Sequence, residues 1–324
     1  MTDLARKFRI LIEGRRSTKK HLKLIKWLQK KQILKQKMKC KTCRGKMKMT
    51  KKSCGDYYEW MCRGGFHHRN RVKQSIRHKS IFSQSKLSLF DWSRFIYRFS
   101  QGLRLRQIDM MMDEISRSPT SLSKMAKKLR EVCIWALNRR RRRKGQRLGG
   151  RHEYVVIDES HFRHKRKYGR GRAAGGWKRK KWVFGMLGVK KSDGKSQRPI
   201  LRLVDRRTRQ ELVPLLCRHV KMGSYIISDE WRSYRVLNDL GFRHLTVNHS
   251  MWYMDPITGN HTQHIERAWR TVKEQVWRQR GNRTEELLSD HLNVIEWHEW
   301  IAKKYHSGPL GRILHDIAEM YKHL

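Results

Sequence analysis

Two apolar runs that each end in an aspartate constrain this chain more than anything else in it. Tyr154-Val-Val-Ile157 closes on Asp158, and Tyr225-Ile-Ile-Ser228 closes on Asp229. Short runs rich in Val, Ile and Tyr read as buried strands, and an acid at the end of a buried strand needs a positive partner. A third acid, Glu266, lies in the helix-like stretch 262–280. The rest of the chain is strongly basic, with 77 Lys and Arg against 28 Asp and Glu and a formal net charge of +49 over 324 residues. Acids gathered within such a chain point to a pair of divalent metal ions, and the surplus positive charge points to nucleic acid as the substrate they act on.

A hydrophobic content of 38% with 12 Trp is enough for real cores, and the length suits about two domains with appendages at roughly 100–200 residues each. No apolar run approaches the ~20 residues of a membrane span, and residues 1–14 lack a signal-peptide pattern. The expectation is an intracellular protein, nuclear in a eukaryotic host or in the cytoplasm and nucleoid of a bacterial one. Six Cys, two of them in Cys40-Lys-Thr-Cys43, suit a reducing compartment and a structural metal better than a disulfide frame.

Residues 1–38 read as a basic helical arm, because Leu22, Ile25, Leu28 and Ile33 recur at helical spacing among lysines over 18–37. It is either a DNA-contacting element or a solvated helix packing one stripe. Residues 39–82 read as a zinc-ribbon-like module. Zn²⁺ takes four Cys or His ligands at one tetrahedral point; Cys40 and Cys43 supply two and Cys62 a third, while Cys54, His67 and His68 compete for the fourth. Unliganded thiols in a metal-free module are the alternative.

Residues 83–144 turn helical, with segments at 87–97 and 105–115 and a third after Ser118-Pro119-Thr120 that carries Leu122, Met125, Leu129, Val132 and Ala136. A helix-turn-helix-like DNA-binding region fits this spacing. The run Arg139, Arg140, Arg141, Arg142, Arg143, Lys144, followed by glycines, reads as an exposed strap suited to phosphates and leads into a linker at 145–152.

From 153 to 282 the pattern is strand, strand, strand, helix, strand, helix, strand, helix: 154–160, 181–189, 199–205, 211–220, 225–229, 233–240, 245–248 and 262–280. This is an α/β chain with a ribonuclease H-like layout, a mixed sheet flanked by helices. In that layout the first and fourth strands are neighbours, so Asp158 and Asp229 meet and a later helix brings Glu266. That helix carries an apolar stripe of Ile265, Trp269, Val272 and Val276, with Glu266 and Lys273 one step round from it and seven residues apart. Strand alternation puts Val156, Asp158 and Ser160 on one face and Glu159 on the other, which makes Glu159, like Glu230, a second choice. Asp205, before Arg206-Arg207, reads as a turn acid paired with arginine. Residues 283–324 read as C-terminal helices.

Taken jointly, several motifs resemble the Merlin superfamily of cut-and-paste DNA transposases and the bacterial insertion-sequence transposases of the ISXO type. They are Val156-Ile-Asp-Glu-Ser160 with Lys167-Tyr-Gly-Arg-Gly171, Trp182-Val-Phe-Gly185, Gly223-Ser with Ile227-Ser-Asp-Glu-Trp231 and Tyr234, Val247-Asn-His-Ser250, and His261-Thr-Gln-His-Ile-Glu266 with Trp269 and Lys273. The resemblance implies a DDE-type transposase with Asp158, Asp229 and Glu266 as its metal-binding triad and Lys273 as a basic residue at the DNA end. The chain departs from the family in the ribbon, where Arg63-Gly-Gly-Phe-His67 stands in place of a Cys shortly after Cys62.

The implied chemistry uses two Mg²⁺ or Mn²⁺ ions roughly 3.5–4 Å apart, with a structural Zn²⁺ in the ribbon. Water cuts the transposon end, and the freed 3′ hydroxyl then attacks target DNA without a covalent protein intermediate. The basic insert 163–181, with Lys165, Lys167 and Arg170, reads as a loop gripping DNA over the site or as a solvated hairpin. Two ends cut together imply a homodimer or a larger synaptic assembly. A structure-selective nuclease with the same triad and a domesticated, non-catalytic DNA-binding protein are the rival readings.

Overall fold

A computed structural model of the chain describes residues 2–14, 17–53, 55–64, 70–102, 115, 118–162, 181–247, 262–278 and 284–322. It divides into two compact units, Met1–Ala136 with Ile301–Leu324, and Leu137–Trp300.

The first unit starts with α1 (Asp3–Ile12) and α2 (Thr18–Lys30), capped by the Thr2 and Ser17 hydroxyls. The helix expected over 18–37 stops at Lys30. Gln32 takes a left-handed φ of 60°, and the amides of Ile33 and Leu34 turn back to the Leu28 carbonyl, burying both side chains at 2% exposure. Burying two apolar residues outweighs extending a lysine-rich helix. Next come β1 (Lys48–Lys51), β2 (Tyr58–Cys62) and β3 (Val72–Ser75), an antiparallel sheet in which Lys48 pairs with Met61 and Cys62 with Val72.

Helix α3 (Leu89–Ser100) opens with a capping box between Ser88 and Asp91. Of the helix expected at 105–115, only Ile115 lies among the described residues. The third segment is a single helix, α4 (Pro119–Lys144), with the boundary between the units inside it. Its basic end, expected as part of an exposed strap and linker, is helical. The C-terminal residues divide as well. Helix α7 (Glu285–Trp297) belongs to the second unit, whereas α8 (Gly308–Tyr321) packs on α1 and α3 in the first.

The second unit is a five-stranded mixed sheet of β4 (Glu153–Ser160), β5 (Trp182–Lys190), β6 (Ser196–Val204), β7 (Tyr225–Asp229) and β8 (Arg243–Val247), in the order β6-β5-β4-β7-β8. The pairs β4/β5 and β5/β6 are antiparallel; β4/β7 and β7/β8 are parallel. Helix α5 (Arg209–His219) packs against β6. On one face, Val156, Val183, Leu187, Leu201 and Ile227 form a core with Ile265, Trp269, Val272 and Val276 of α6 (Gln263–Arg278) and with Leu288, Leu292 and Ile295 of α7. Alternating residues such as Val155, Ile157, Phe184, Met186, Ile200 and Ile226 are fully buried too, which is why these strands read as continuous apolar runs. A mixed sheet flanked by helices in this order is compatible with a ribonuclease H-like transposase domain.

The helix expected at 233–240 is instead a 3₁₀ turn, Arg232–Tyr234, followed by turns to Gly241. Tyr234 and Leu237 are fully buried three residues apart, a spacing that imitates a helix. The chain has to reverse into β8 within a few residues, and Gly241 supplies the required φ of 81°.

A fully buried carboxylate ties the second unit together. Glu296 on α7 accepts from Arg141 at 2.8 Å, Gln146 at 2.6 Å and the Leu201 amide at 2.8 Å, and pairs with Arg202 at 2.5 Å. Two arginines and two further donors offset the cost of burying the charge.

Candidate active site

The parallel register of β4 and β7 places the first two acids. Val155 pairs with Ile226 and Val156 with Ile227; continued two residues toward the carboxyl ends, the same register sets Asp158 opposite Asp229. Glu266 lies in the first turn of α6, whose apolar stripe seats it on the sheet. The three carboxylates line one pocket with Ile157 and Thr262, with a volume of about 190 Å³.

Each acid is held by a neighbour. Asp158 accepts from the Trp269 indole at 2.8 Å and from the Glu159 amide at 2.8 Å. Asp229 accepts from the Trp231 amide at 3.2 Å, and Glu266 from the Thr262 hydroxyl at 3.1 Å. Burial pushes the Asp158 carboxyl up to about 6; the Trp269 and Glu159 hydrogen bonds oppose this, while the charges of Asp229 and Glu266 add to it. Three carboxylates around one small pocket, with Asp158 partly buried and Glu266 exposed, repel each other, and a divalent cation held between them would relieve this.

Trp269 reaches Asp158 because of a glycine. Gly185 stands opposite Asp158 on β5, and a Cβ there would come within 2.6 Å of the Trp269 ring. The glycine of Trp182-Val-Phe-Gly185 is therefore the space the indole occupies. Neither Trp269 nor Thr262 stood out as a site residue by periodicity, since Trp269 belongs to the apolar stripe and also packs edge-on against Phe162. Thr262 was detectable by its position four residues before Glu266 at the head of the helix.

Glu159 is buried on the other side of β4, where burial, together with Asp158 and Asp229, pushes its carboxyl up to about 8 against the pull of Arg207. The Arg207 guanidinium is 3.6 Å from it and lies over the rings of Trp182 and Trp231. Asp205, expected to pair with arginine, pairs with Lys181 at 3.3 Å. Lys273 is half-buried with its ammonium over Phe162; burial lowers its pKa and the Asp158 charge opposes that.

Residues 139–297 match the family model of an ISXO2-like transposase domain. No curated protein matches the chain. The matched segment contains the whole mixed sheet, all three acids and Lys273, and ends where α7 ends. The match supports a DDE transposase family, which suggests DNA transposition, endonuclease or transferase activity, DNA binding and the use of divalent metals. No described helix is long and apolar enough to cross a membrane.

Of the basic residues expected on DNA, Arg142, Arg143 and Lys144 are exposed at the end of α4. Arg141 is bound to Glu296, Asn293, Asn138 and Gln146, and Arg140 lies over Trp300. Arg139 is half-buried. Lys165, Lys167 and Arg170 lie outside the described residues.

In the first unit, the sulfurs of Cys40, Cys43 and Cys62 all lie within 4.8 Å of one another. Cys40 and Cys43 bracket a tight turn in which Arg44 has a φ of 55° and donates its amide to the Cys40 carbonyl; Cys62 ends β2. Hydrogen bonding from the Cys43 amide lowers the Cys40 thiol to about 6. At Cys62 the Gly64 amide favours the thiolate, but burial and the two neighbouring sulfurs outweigh it and raise the thiol. One thiolate beside two further sulfurs is a donor set that fits zinc. All three candidates for the fourth ligand, Cys54, His67 and His68, lie outside the described residues.

Proposed function

We propose that this protein is a DNA transposase of the Merlin and ISXO kind, with Asp158, Asp229 and Glu266 as its metal-binding carboxylates. The supporting observation is their convergence on one pocket from two strand ends and a helix, in a chain of net charge +49. Divalent Mg²⁺ or Mn²⁺ at these acids would supply an activated water for cutting the phosphodiester and stabilise the leaving 3′ oxygen.

The chain's own residues prepare this chemistry. Trp269 and the Glu159 amide orient Asp158, the Trp231 amide orients Asp229, and Thr262 orients Glu266. Lys273, on the same face of α6 as Glu266, is assigned to a backbone phosphate of the transposon end. The freed 3′ hydroxyl then attacks target DNA, so no Ser or Tyr nucleophile is required. A dimeric or larger assembly follows from cutting two ends together. Cys40, Cys43 and Cys62 are assigned to a structural Zn²⁺.

Titration with Mn²⁺, read by electron paramagnetic resonance, tests the reading without relying on catalysis. The wild-type protein is expected to bind Mn²⁺ at this site and the Asp158→Asn and Asp229→Asn proteins to bind at least tenfold more weakly; equal binding would remove the triad.

A further inference from the structure

The seam between the two aspartate strands is not closed by the sheet itself. Among the described residues, β4 and β7 are in register only at Val155/Ile226 and Val156/Ile227, whereas β4 stays paired with β5 as far as Ser160/Val183 and β7 with β8 as far as Asp229/Val247. The backbone ladder therefore stops short of Asp158 and Asp229. Carboxylates that share two metal ions roughly 3.5–4 Å apart need a fixed spacing, so another part of the fold has to supply it.

The turn after β6 crosses this end of the sheet. Strand β6 lies three positions from β7, about 14 Å at the usual interstrand spacing. Glu211, in the first turn of α5, fixes the start of the turn by accepting from the amides of Asp205 at 2.8 Å and Arg206 at 3.1 Å. Arg207 comes next. Its carbonyl accepts from the Trp231 indole and the Ser233 hydroxyl, both at 2.9 Å. Its guanidinium lies 4.2 Å from the Trp231 ring centre and 4.4 Å from that of Trp182. It also lies 3.6 Å from the Glu159 carboxyl, whose two oxygens have no hydrogen-bond partner. A planar guanidinium can stack on two indoles and face a carboxyl at once, which an ammonium does less well.

Glu159 and Trp231, both engaged by Arg207, each hold a metal-site acid through the backbone. The Glu159 amide donates to Asp158 at 2.8 Å and the Trp231 amide to Asp229 at 3.2 Å. One residue thus spans the seam, joining the amide that holds one aspartate to the amide that holds the other.

We propose that Arg207 is a positioning residue that sets the separation of Asp158 and Asp229 through Glu159 and Trp231. The proposal rests on the metal-binding triad and adds a brace from the opposite face of β4. The charge of Arg207 is directed at a carboxyl and two indoles, so its loss is felt at the metal.

The test compares Arg207→Met, which keeps the stem and removes the guanidinium, and Arg207→Lys, which keeps the charge, with Arg206→Met, which removes an exposed charge from the same turn. Mn²⁺ titrations of the full-length protein without DNA are read by electron paramagnetic resonance. Arg207→Met should bind about tenfold more weakly than wild type, at the low end of what orienting groups contribute, Arg207→Lys more weakly by a smaller factor, and Arg206→Met equally well. Mg²⁺ demands near-ideal octahedral geometry and Mn²⁺ tolerates distortion, so the ratio of Mn²⁺- to Mg²⁺-supported cleavage of the element's own ends should rise about fivefold in Arg207→Met. A merely destabilised protein would lose both rates together and leave the ratio as it was. Wild-type Mn²⁺ affinity in folded Arg207→Met, or in Arg207→Lys should the first variant fail to fold, overturns the proposal. So does an unchanged cleavage ratio, or equal weakening in Arg206→Met. Wild-type Mn²⁺ binding that Asp158→Asn leaves untouched removes the triad as well, which separates the two failures.

Discussion

Trp269 donates its indole N–H to Asp158 at 2.8 Å through a gap left open by Gly185. A tryptophan that is 5% exposed in the apolar stripe thus also orients a carboxylate at the mouth of the sheet. Groups that orient metal-binding side chains typically govern affinity or activity by about 10–100-fold. Trp269→Phe keeps most of the packing and removes the hydrogen bond, so metal-dependent cleavage should fall by about that factor while DNA affinity is kept. Cleavage at the wild-type rate would show that the indole only fills space.

Gly185→Ala brings a methyl group against the same ring. Overpacking of this kind costs about 1–3 kcal/mol, read as a lower melting temperature, and the same Gly185→Ala change made in a Trp269→Phe background should cost less, because the phenyl ring lacks the far indole carbons that the methyl group meets. An equal cost in both backgrounds would place the clash elsewhere.

The pocket acids make stability depend on pH. Burial holds Asp158 up to about 6 and Glu159 up to about 8, both above their ordinary values of 3.8 and 4.5. The folded protein therefore keeps protons that the unfolded chain has released. Their stabilising contribution is full below about pH 4 and is lost as pH rises through about 6 and 8. In EDTA, Glu159→Gln should melt several degrees above wild type at pH 8 and close to it at pH 4, taking about 2–4 °C per kcal/mol for a unit of this size. Calorimetry showing the same difference at both pH values would contradict this.

Removing one partner of a buried ion pair typically costs about 3–5 kcal/mol. Glu296→Ala leaves Arg141 and Arg202 facing each other without their shared carboxylate, and chemical denaturation should show a loss in that range. A loss under 1 kcal/mol would mean that the network contributes little.

Metal analysis checks the ribbon. Cys40→Ser should reduce bound zinc from about one equivalent per chain, the stoichiometry of a single four-ligand site, to near zero. Equal zinc content in the variant would refute the site.

The sheet was legible in the sequence because its strands are buried on both faces and its helices are amphipathic, so apolar runs and stripes mark them directly. The meeting of Asp158, Asp229 and Glu266 around one pocket was legible for the same reason: each sits at a fixed place relative to such a run or stripe. Periodicity could not reveal that Trp269 has a polar task, because its indole occupies a stripe position. Nor could it separate Arg141 from Arg142 and Arg143, since the carboxylate that engages Arg141 is Glu296, far along the chain. The 3₁₀ turn at Arg232–Tyr234 escaped because Tyr234 and Leu237, buried three apart, look helical whatever the backbone between them does, and the end of α2 at Lys30 escaped because the buried Ile33 continues the apolar series of Ile25 and Leu28.

The most direct measurement of the central claim incubates the protein with Mg²⁺ or Mn²⁺ and DNA carrying the element's own ends, then resolves cleavage from joining on a gel. Wild-type protein should yield free 3′ ends and joined product, while Asp158→Asn and Asp229→Asn should bind the same DNA and yield neither. Undiminished cutting by either variant, or wild-type cleavage that never proceeds to joining, would contradict a strand-transfer site built on these acids.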